Sequence, residues 1–191
     1  GRAIELHALR AILESNPDCV VLVDEAYVDF GAQSAAGLVP EYDNLVVVHT
    51  LSKSRSLAGL RVGYALGQPN LTAALRCVRD SINSYTVDRL AQAGGAAAMR
   101  DRAYFEATAA KVQATRERTA ARLRELGFTV YPSTANFIFI SHPDRAARAL
   151  LAGLREKGVL VRWFDRPRID NYLRVSIGTD EEMDAFCAAV Q

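Results

Sequence analysis

Two short, uninterrupted apolar runs constrain the fold of this chain more than any other feature. They occupy residues 20–23 and 45–48, and each has the length of one β-strand. Continuous apolar strands are typical of a largely parallel sheet that is buried on both faces. Polar residues follow each run at once, Asp24 after the first and residues 49–53 after the second. Because open α/β sheets bind ligands at the carboxyl ends of their strands, we expect a binding site there.

Helical patterns surround these strands in the first part of the chain. Apolar residues at helical spacing predict four helices, at residues 3–14, 71–81, 87–99 and 101–126. A third strand is predicted at residues 61–67. The link from Lys53 to this strand is too short for a parallel crossover, so we expect the third strand to run antiparallel to the second.

Beyond the long helix the pattern changes to short strands and two more helices. Strands are predicted at residues 128–130, 136–140, 159–163 and 172–177. One helix is predicted at residues 145–157. Thr179 and Glu182 have the spacing of a capping box, which predicts the start of the final helix. This arrangement predicts a small α+β domain in the second half of the chain.

The composition excludes several classes of function. The formal net charge of +1 provides no broad basic field, so we expect neither nucleic acid nor a membrane surface as a partner. No apolar stretch reaches the length of a membrane span and no signal sequence is visible, so we expect a cytoplasmic protein. The cysteines and histidines lack the spacing of a disulfide framework or a metal site. We therefore expect no bound metal.

Lysine is rare in this chain, which makes Lys53 notable. Of the 23 lysine and arginine residues only three are lysine, at positions 53, 111 and 157. Lys111 lies in a charge-rich helical stretch, and Lys157 lies at a helix end where a cation favours the helix dipole. Lys53 follows the second strand and has no such explanation. A solvated surface cation is the common role at a sheet edge, and Schiff-base chemistry is the alternative.

Three further side chains near Lys53 match the groups of pyridoxal phosphate. Asp24 would hold a pyridine nitrogen protonated, with a helix N-cap as the plain alternative. Tyr27 would reach the ring oxygen or simply pack in an apolar loop. Arg61 would bind the phosphate through its planar guanidinium or pair with a surface carboxylate. With Arg55, Arg61 would also supply the positive charge that favours a neutral lysine amine.

Two arginines in the predicted strands of the second half indicate an anion site. Arg174 alternates with apolar residues, so strand geometry places it on the face opposite to them. Arg162 also lies within an apolar run. A lone strand arginine most often faces solvent, whereas two that converge would clamp a carboxylate or a phosphate.

Four segments carry a resemblance to a known enzyme family: Asp-Glu-Ala-Tyr at 24–27, Leu-Ser-Lys at 51–53, Gly-Leu-Arg-Val-Gly-Tyr at 59–64 and Tyr-Leu-Arg-Val-Ser-Ile-Gly-Thr at 172–179. The chain resembles the class I and II pyridoxal-phosphate-dependent aminotransferases of fold type I, most closely the branch that acts on histidinol phosphate. The resemblance implies an α/β fold. Residues 1–97 would supply the later strands of the mostly parallel cofactor-binding sheet, and residues 98–191 would form the small α+β C-terminal domain with a long connecting helix.

The resemblance implies that pyridoxal 5'-phosphate is the cofactor and gives each candidate residue a role. Lys53 would be the catalytic residue, which binds the cofactor covalently and transfers the proton between the substrate Cα and the cofactor C4′. Asp24 would pair with the pyridine nitrogen and Tyr27 with the ring oxygen. Ser52 and Arg61 would bind the phosphate.

The resemblance also implies the substrates. Arg174, helped by Arg162, would bind the carboxylate of glutamate in one half-reaction and the phosphate of histidinol phosphate in the other. The enzyme would exchange an amino group between histidinol phosphate and 2-oxoglutarate in histidine biosynthesis, as a homodimer. An aromatic aminotransferase or a phosphoamino-acid decarboxylase of the same fold type remains an alternative.

The chain departs from the family pattern in its length. Enzymes of this family are much longer, and their Asn-Pro-x-x-Pro-Thr-Gly element and ring-stacking aromatic residue have no counterpart in residues 1–191. We therefore expect this chain to correspond to the C-terminal half of such an enzyme and to be inactive alone. The alternative from another class is a non-catalytic folded fragment that binds no cofactor.

Overall fold

The computed structural model describes residues 1–191, which form two compact units. The N-terminal unit comprises Ala3–Ala107. The C-terminal unit comprises Thr108–Gln191 together with Gly1–Arg2. The division falls inside a long helix, whereas the domain boundary predicted from the sequence lies earlier, between residues 97 and 98.

The N-terminal unit contains a three-stranded sheet with the order β1-β2-β3. Its strands are β1 (Val21–Asp24), β2 (Leu45–Thr50) and β3 (Gly63–Gly67). β1 and β2 are parallel, and β3 runs antiparallel to β2, as the short connection predicts. The carboxyl ends of β1 and β2 therefore lie side by side at one edge of the sheet.

The third strand begins two residues later than the sequence predicts. Arg61 ends a short 3-10 helix, Ala58–Leu60, and adopts the left-handed conformation with φ 54° and ψ 38°. A residue in that conformation cannot continue a strand. The prediction that Arg61 heads a strand is therefore wrong, and Arg61 lies in the loop that precedes β3.

Helices pack on both faces of this sheet. The helices of the unit are α1 (Leu6–Ser15), α2 (Pro69–Ile82) and α3 (Arg89–Arg100). Leu9 and Leu13 of α1 pack against Leu45 and Val47 of β2. The prediction of strands buried on both faces is correct for the apolar part of β2 and wrong for β1, where Leu22 is 60% exposed. The reason is that β1 is the edge strand, and its second face has no covering element in this unit.

The C-terminal unit is an antiparallel sheet packed against helices. The sheet has the order β4-β5-β7-β6 and consists of β4 (Thr129–Val130), β5 (Phe137–Ser141), β6 (Arg162–Trp163) and β7 (Leu173–Ser176). The helices are α4 (Arg102–Glu125), which spans the division between the units, α5 (Ala147–Glu156) and α6 (Asp180–Ala189).

A glycine ends the long helix of this unit, and the predicted start of the final helix is confirmed. Gly127 follows α4 with a φ of 84°, a conformation that glycine adopts without strain. The side chain of Thr179 accepts a hydrogen bond from the backbone of Glu182, whose side chain accepts one from the backbone of Thr179 in return. No helix of the chain combines the length and the apolar character needed to cross a membrane.

Candidate functional site

Lys53 lies on a closed loop between β2 and β3. The backbone N–H of Leu51 donates to the carbonyl of Val62 at 3.0 Å, which joins the two ends of the loop. Ser56 and Arg61 both have positive φ values, of 55° and 54°. Few residues other than glycine adopt this conformation, and such backbone tends to occur at functional sites. The local geometry therefore marks this loop as a candidate site.

Gly63 allows the end of this loop to approach β2 closely. A Cβ atom at this position would lie 2.7 Å from the backbone oxygen of His49. Real Cβ atoms do not come so near to a backbone oxygen, so any side chain at this position would push β3 away from β2. The register of β3 against β2 thus depends on glycine here.

Two contacts link the loop after β1 to the loop that carries Lys53. The Nζ atom of Lys53 lies 5.5 Å from the centre of the Tyr27 ring. The hydroxyl of Ser54 donates a hydrogen bond to Oδ2 of Asp29. The structure thus brings together two predicted site residues, Lys53 and Tyr27, and holds an amine beside a phenol.

Asp24 is the last residue of β1 and is exposed. Its Oδ1 accepts a hydrogen bond from the backbone N–H of Ala26 at 3.0 Å. This contact makes a tight turn after the strand, and no helix begins at Asp24, so the alternative of a helix N-cap is excluded. The second carboxylate oxygen, Oδ2, can therefore accept a hydrogen bond from a donor outside the turn.

The two predicted phosphate ligands lie on the Lys53 loop. The hydroxyl of Ser52 accepts a hydrogen bond from Oγ1 of Thr50 at 2.9 Å, so its own proton is left for another acceptor. Arg61 is exposed, and its Nη1 donates to the carbonyl of Ala58 at 3.0 Å. Both side chains therefore retain hydrogen-bond donors for an anion.

Arg55 has a different environment from the one that its sequence position suggests. Its guanidinium packs over the ring of Phe105 at 3.7 Å and donates to the carbonyl of Ala98 at 2.6 Å. These contacts fasten the Lys53 loop to the end of α3 and the beginning of α4. We assign Arg55 an anchoring role, since its donor and its planar face are engaged by the protein itself.

A row of polar side chains near this edge, buried at Glu25 and exposed at Tyr64, was not predicted from the sequence. Glu25, His49 and Tyr64 lie side by side across β1, β2 and β3, because Glu25 follows β1 directly and His49 pairs with Tyr64. His49 Nε2 lies 2.8 Å from Oε2 of Glu25, and its Nδ1 lies 3.2 Å from Oη of Tyr64. The sequence contained one indication of this row. Glu25 alternates with Val21 and Val23, which places its side chain on the face opposite to Asp24.

Tyr64 ends this row near the surface. Burial raises the pKa of its hydroxyl, and the charge of Asp29 raises it further. The hydroxyl therefore stays protonated over the physiological pH range, and its hydrogen bond with His49 Nδ1 can run in either direction, depending on the imidazole tautomer.

The second candidate site lies in the C-terminal unit and contains Arg162 and Arg174. The two residues are directly opposite each other on β6 and β7. Leu173 and Val175 are buried, so Arg174 lies on the face opposite to the apolar residues, as predicted. Because like charges directly opposite each other repel, an anion between them would be stabilising.

Aromatic rings and an unused donor characterise this pair. The guanidinium of Arg174 lies 5.2 Å from the centre of the Phe137 ring, and that of Arg162 lies 5.5 Å from the centre of the Phe164 ring. The Nε of Arg174 is buried and has no hydrogen-bond partner. Buried donors are normally paired, so this nitrogen indicates a place for an acceptor.

The side chains of the first site fit the functional groups of pyridoxal phosphate. An amine, a phenol and a carboxylate follow the adjacent ends of β1 and β2, and hydroxyl and guanidinium donors lie on the same loop as the amine. An amine can bond an aldehyde, a carboxylate can pair with a pyridinium, and the two donors suit a phosphate. The donor set is therefore complementary to the aldehyde, the ring and the phosphate.

Residues 1–190 match the family model described as aminotransferase class I and II. The chain belongs to the class I and II aminotransferase family. A histidinol-phosphate aminotransferase of Bordetella parapertussis is 56% identical over 191 residues, and one of Marinomonas sp. is 53% identical over 193 residues. The match covers 100% of this chain in both cases, but only 54% and 55% of the relatives. The chain thus spans about half the length of these aminotransferases.

A solved structure extends the comparison to the aminotransferase fold. The histidinol-phosphate aminotransferase of Sinorhizobium meliloti, in complex with pyridoxal-5'-phosphate, superimposes with a TM-score of 0.82 at 26% identity. The match covers 96% of this chain and 51% of that protein. The predicted fold class, the later part of a fold-type-I aminotransferase, is thereby confirmed.

Proposed function

We propose that the complete polypeptide carrying this chain is a pyridoxal-phosphate-dependent aminotransferase that acts on histidinol phosphate and 2-oxoglutarate. The observation that carries the proposal is the pairing of Lys53 with Tyr27 at 5.5 Å, on the loops that follow two adjacent strands. Family membership and relatives of this name at 53–56% identity support it. The proposed substrate is taken from the names of these relatives, and the proposed chemistry is inferred from the side chains of the site.

Lys53 and its neighbours would hold the cofactor and handle the proton. When bound, pyridoxal phosphate withdraws electrons from the Cα of an amino substrate and so makes its proton acidic. Asp24 would keep the pyridine nitrogen protonated, which the exposed and unused Oδ2 permits. Lys53 would bind the cofactor at rest and, once displaced by the substrate amine, would move the proton at Cα.

Tyr27 and the phosphate ligands would orient the cofactor. The hydroxyl of Tyr27 would donate to the ring oxygen, since the ring lies beside the Lys53 amine. Ser52 and Arg61 would bind the phosphate through the donors that their own loop leaves available.

Arg162 and Arg174 would recognise the anionic end of each substrate. Histidinol phosphate carries a phosphate and glutamate carries a carboxylate, and both are acceptors for paired guanidinium groups. The buried Nε of Arg174 would find its acceptor there. One pair of arginines would thus serve both half-reactions of an amino-group exchange.

Two parts of the proposal rest on the sequence alone. We propose a homodimeric enzyme because the resemblance implies one, and a cytoplasmic location because the proposed reaction belongs to amino-acid biosynthesis. Size-exclusion chromatography with light scattering tests the first, and fractionation of the source cells tests the second.

Product analysis tests the proposed reaction. The complete polypeptide, incubated with pyridoxal phosphate, histidinol phosphate and 2-oxoglutarate, should yield glutamate and a keto phosphate in equal amounts. When a phosphoamino acid replaces histidinol phosphate, carbon dioxide and an amine phosphate formed without a keto product would instead indicate a decarboxylase. Faster turnover of phenylalanine than of histidinol phosphate would indicate an aromatic aminotransferase.

A further inference from the structure

The carboxylate of Glu25 closes the loop that carries Tyr27. Its Oε1 accepts a hydrogen bond from the backbone N–H of Ala35 at 2.6 Å, and its Oε2 accepts one from the hydroxyl of Ser34 at 2.6 Å. Both contacts join the beginning of the loop of residues 25–35 to its end. The course of the loop therefore depends on this one side chain.

Glu25 is buried, which distinguishes it from an ordinary loop residue. Its side chain is only 6% exposed. A buried carboxylate costs free energy unless hydrogen bonds and a charged or polar partner compensate for its lost hydration. Two hydrogen-bond donors and the imidazole of His49 surround this carboxylate, so its burial requires a specific arrangement of the neighbouring segments.

A third contact comes from the strand that leads to Lys53. The side chain of His49 is 13% exposed, and its Nε2 lies 2.8 Å from Oε2 of Glu25, although the two atoms do not have hydrogen-bond geometry. The imidazole is stacked on the Tyr64 ring, with centroids 5.0 Å apart and an interplanar angle of 21°. The stacking and the hydrogen bond with Tyr64 fix the imidazole, whose Nε2 in turn lies against the carboxylate.

The loop is held at a second point by the segment around Lys53. Asp29, on the same loop, accepts a hydrogen bond from Ser54, the residue after Lys53. Tyr27 lies between this contact and Glu25. The position of the phenol beside the amine therefore depends on both contacts.

We propose that Glu25 is a positioning residue, whose carboxylate, held by His49, fixes the loop of residues 25–35 and so presents the Tyr27 hydroxyl to a cofactor bound at Lys53. The role of Tyr27 rests on the proposed function. The closure of the loop by Glu25 does not, since it is a property of the protein without its cofactor.

Hydrogen exchange in the cofactor-free complete polypeptide tests the closure of the loop. Glu25→Gln replaces a charged acceptor by a neutral one, so the Ala35 amide should exchange about tenfold faster. The matched control is Glu41→Gln, which removes a carboxylate from an exposed ion pair with Arg10 and should leave this amide unchanged. Unchanged Ala35 exchange in Glu25→Gln overturns the proposal.

Ser34→Ala provides a second test of the same closure. This variant removes one donor to the buried carboxylate, together with the acceptor of the Ala36 N–H, and keeps the carboxylate itself, so it remains informative where Glu25→Gln fails to fold. The Ala35 amide should again exchange faster than in the wild type. Exchange at the wild-type rate in Ser34→Ala counts against the closure.

A double-mutant cycle tests whether Glu25 acts through Tyr27. With pyridoxal phosphate bound, the pH midpoint of the visible absorption band reports the surroundings of the bond to Lys53. Glu25→Gln should shift the midpoint in the same direction as Tyr27→Phe, by about 0.5 pH unit. In the Tyr27→Phe background, Glu25→Gln should cause no further shift of the pH midpoint, because the two substitutions affect one interaction.

The outcomes of this cycle are separable from the proposed function. Equal shifts by Glu25→Gln in both backgrounds, or no shift in either, would refute the positioning role. A wild-type protein without any visible band would overturn the proposed function instead, and Ala35 exchange would still decide whether Glu25 closes the loop.

Discussion

The Nζ atom of Lys53 lies 5.5 Å from the centre of the Tyr27 ring. The two residues are far apart in sequence and meet because β1 and β2 are parallel neighbours that end at the same edge. This arrangement places a lysine side chain beside a phenol, two groups that would suit a cofactor with an aldehyde and an adjacent ring oxygen.

Ser54→Ala should weaken cofactor binding without abolishing it. The substitution removes the hydrogen bond to Asp29 that holds the two site loops together, and a hydrogen bond to a charged group contributes about 1.5–3 kcal/mol. Titration of the complete polypeptide with pyridoxal phosphate should show a higher Kd. Ser81→Ala, on the exposed face of α2, is the control and should bind as the wild type does.

Arg174→Gln should raise the KM for the anionic substrate more than it lowers kcat. The lost guanidinium would bind the anion in ground state and transition state alike, and we expect a rise of about ten- to a hundredfold. Steady-state kinetics with histidinol phosphate checks this. Arg148→Gln, which alters a guanidinium that packs on Trp163, is the control. An unchanged KM in Arg174→Gln contradicts the role of this arginine.

Leu123→Ala should strongly destabilise the C-terminal unit. Leu123 is completely buried in the core formed by α4, α5, α6 and the sheet, so its truncation leaves a cavity. The expected loss in the free energy of unfolding is about 2–5 kcal/mol. Leu160→Ala, at a site that is 79% exposed, should change it by less than about 0.5 kcal/mol. Urea denaturation compares the two variants, and equal losses would contradict this description of the core.

Asp180→Asn should lower thermal stability at neutral pH and lose this effect in acid. Hydrogen bonds from Thr115 and Arg118 hold the pKa of the Asp180 carboxyl below its usual value. A lowered folded-state pKa gives a stabilisation that is complete above the unfolded value, about pH 4, and disappears as the carboxylate of the folded protein is protonated.

Thermal unfolding at pH 7 and pH 3 tests this pH dependence. The Tm of Asp180→Asn should fall below that of the wild type at pH 7, and the difference should shrink at pH 3. Asp18→Asn, an exposed aspartate before β1, should show little change at either pH. An Asp180→Asn difference of equal size at both pH values would contradict the assignment.

Local patterns in the sequence predict most of the elements. The apolar runs give β1 and β2, and the short link after Lys53 gives the antiparallel direction of β3. The capping box at Thr179 gives the start of α6. These features depend on residues close in sequence, so sequence periodicity and connection length are enough to predict them.

Features that depend on the register of several strands could not be predicted in this way. The row of Glu25, His49 and Tyr64 exists only because three strands align these positions. The left-handed backbone of Arg61 and the exposed face of Leu22 likewise follow from tertiary packing. The sequence indicated Lys53 and Asp24 because chemically unusual residues follow apolar runs, a signal that buried Glu25 does not give.

The visible spectrum of Lys53→Ala tests the central claim most directly. The complete wild-type polypeptide, mixed with pyridoxal phosphate and freed of excess cofactor, should retain a visible absorption band that borohydride reduction fixes covalently to the peptide containing Lys53. Lys53→Ala should show no such band, no labelled peptide and no transamination, whereas Lys157→Ala should behave as the wild type does. A Lys53→Ala protein that retains the band and full turnover would contradict the account.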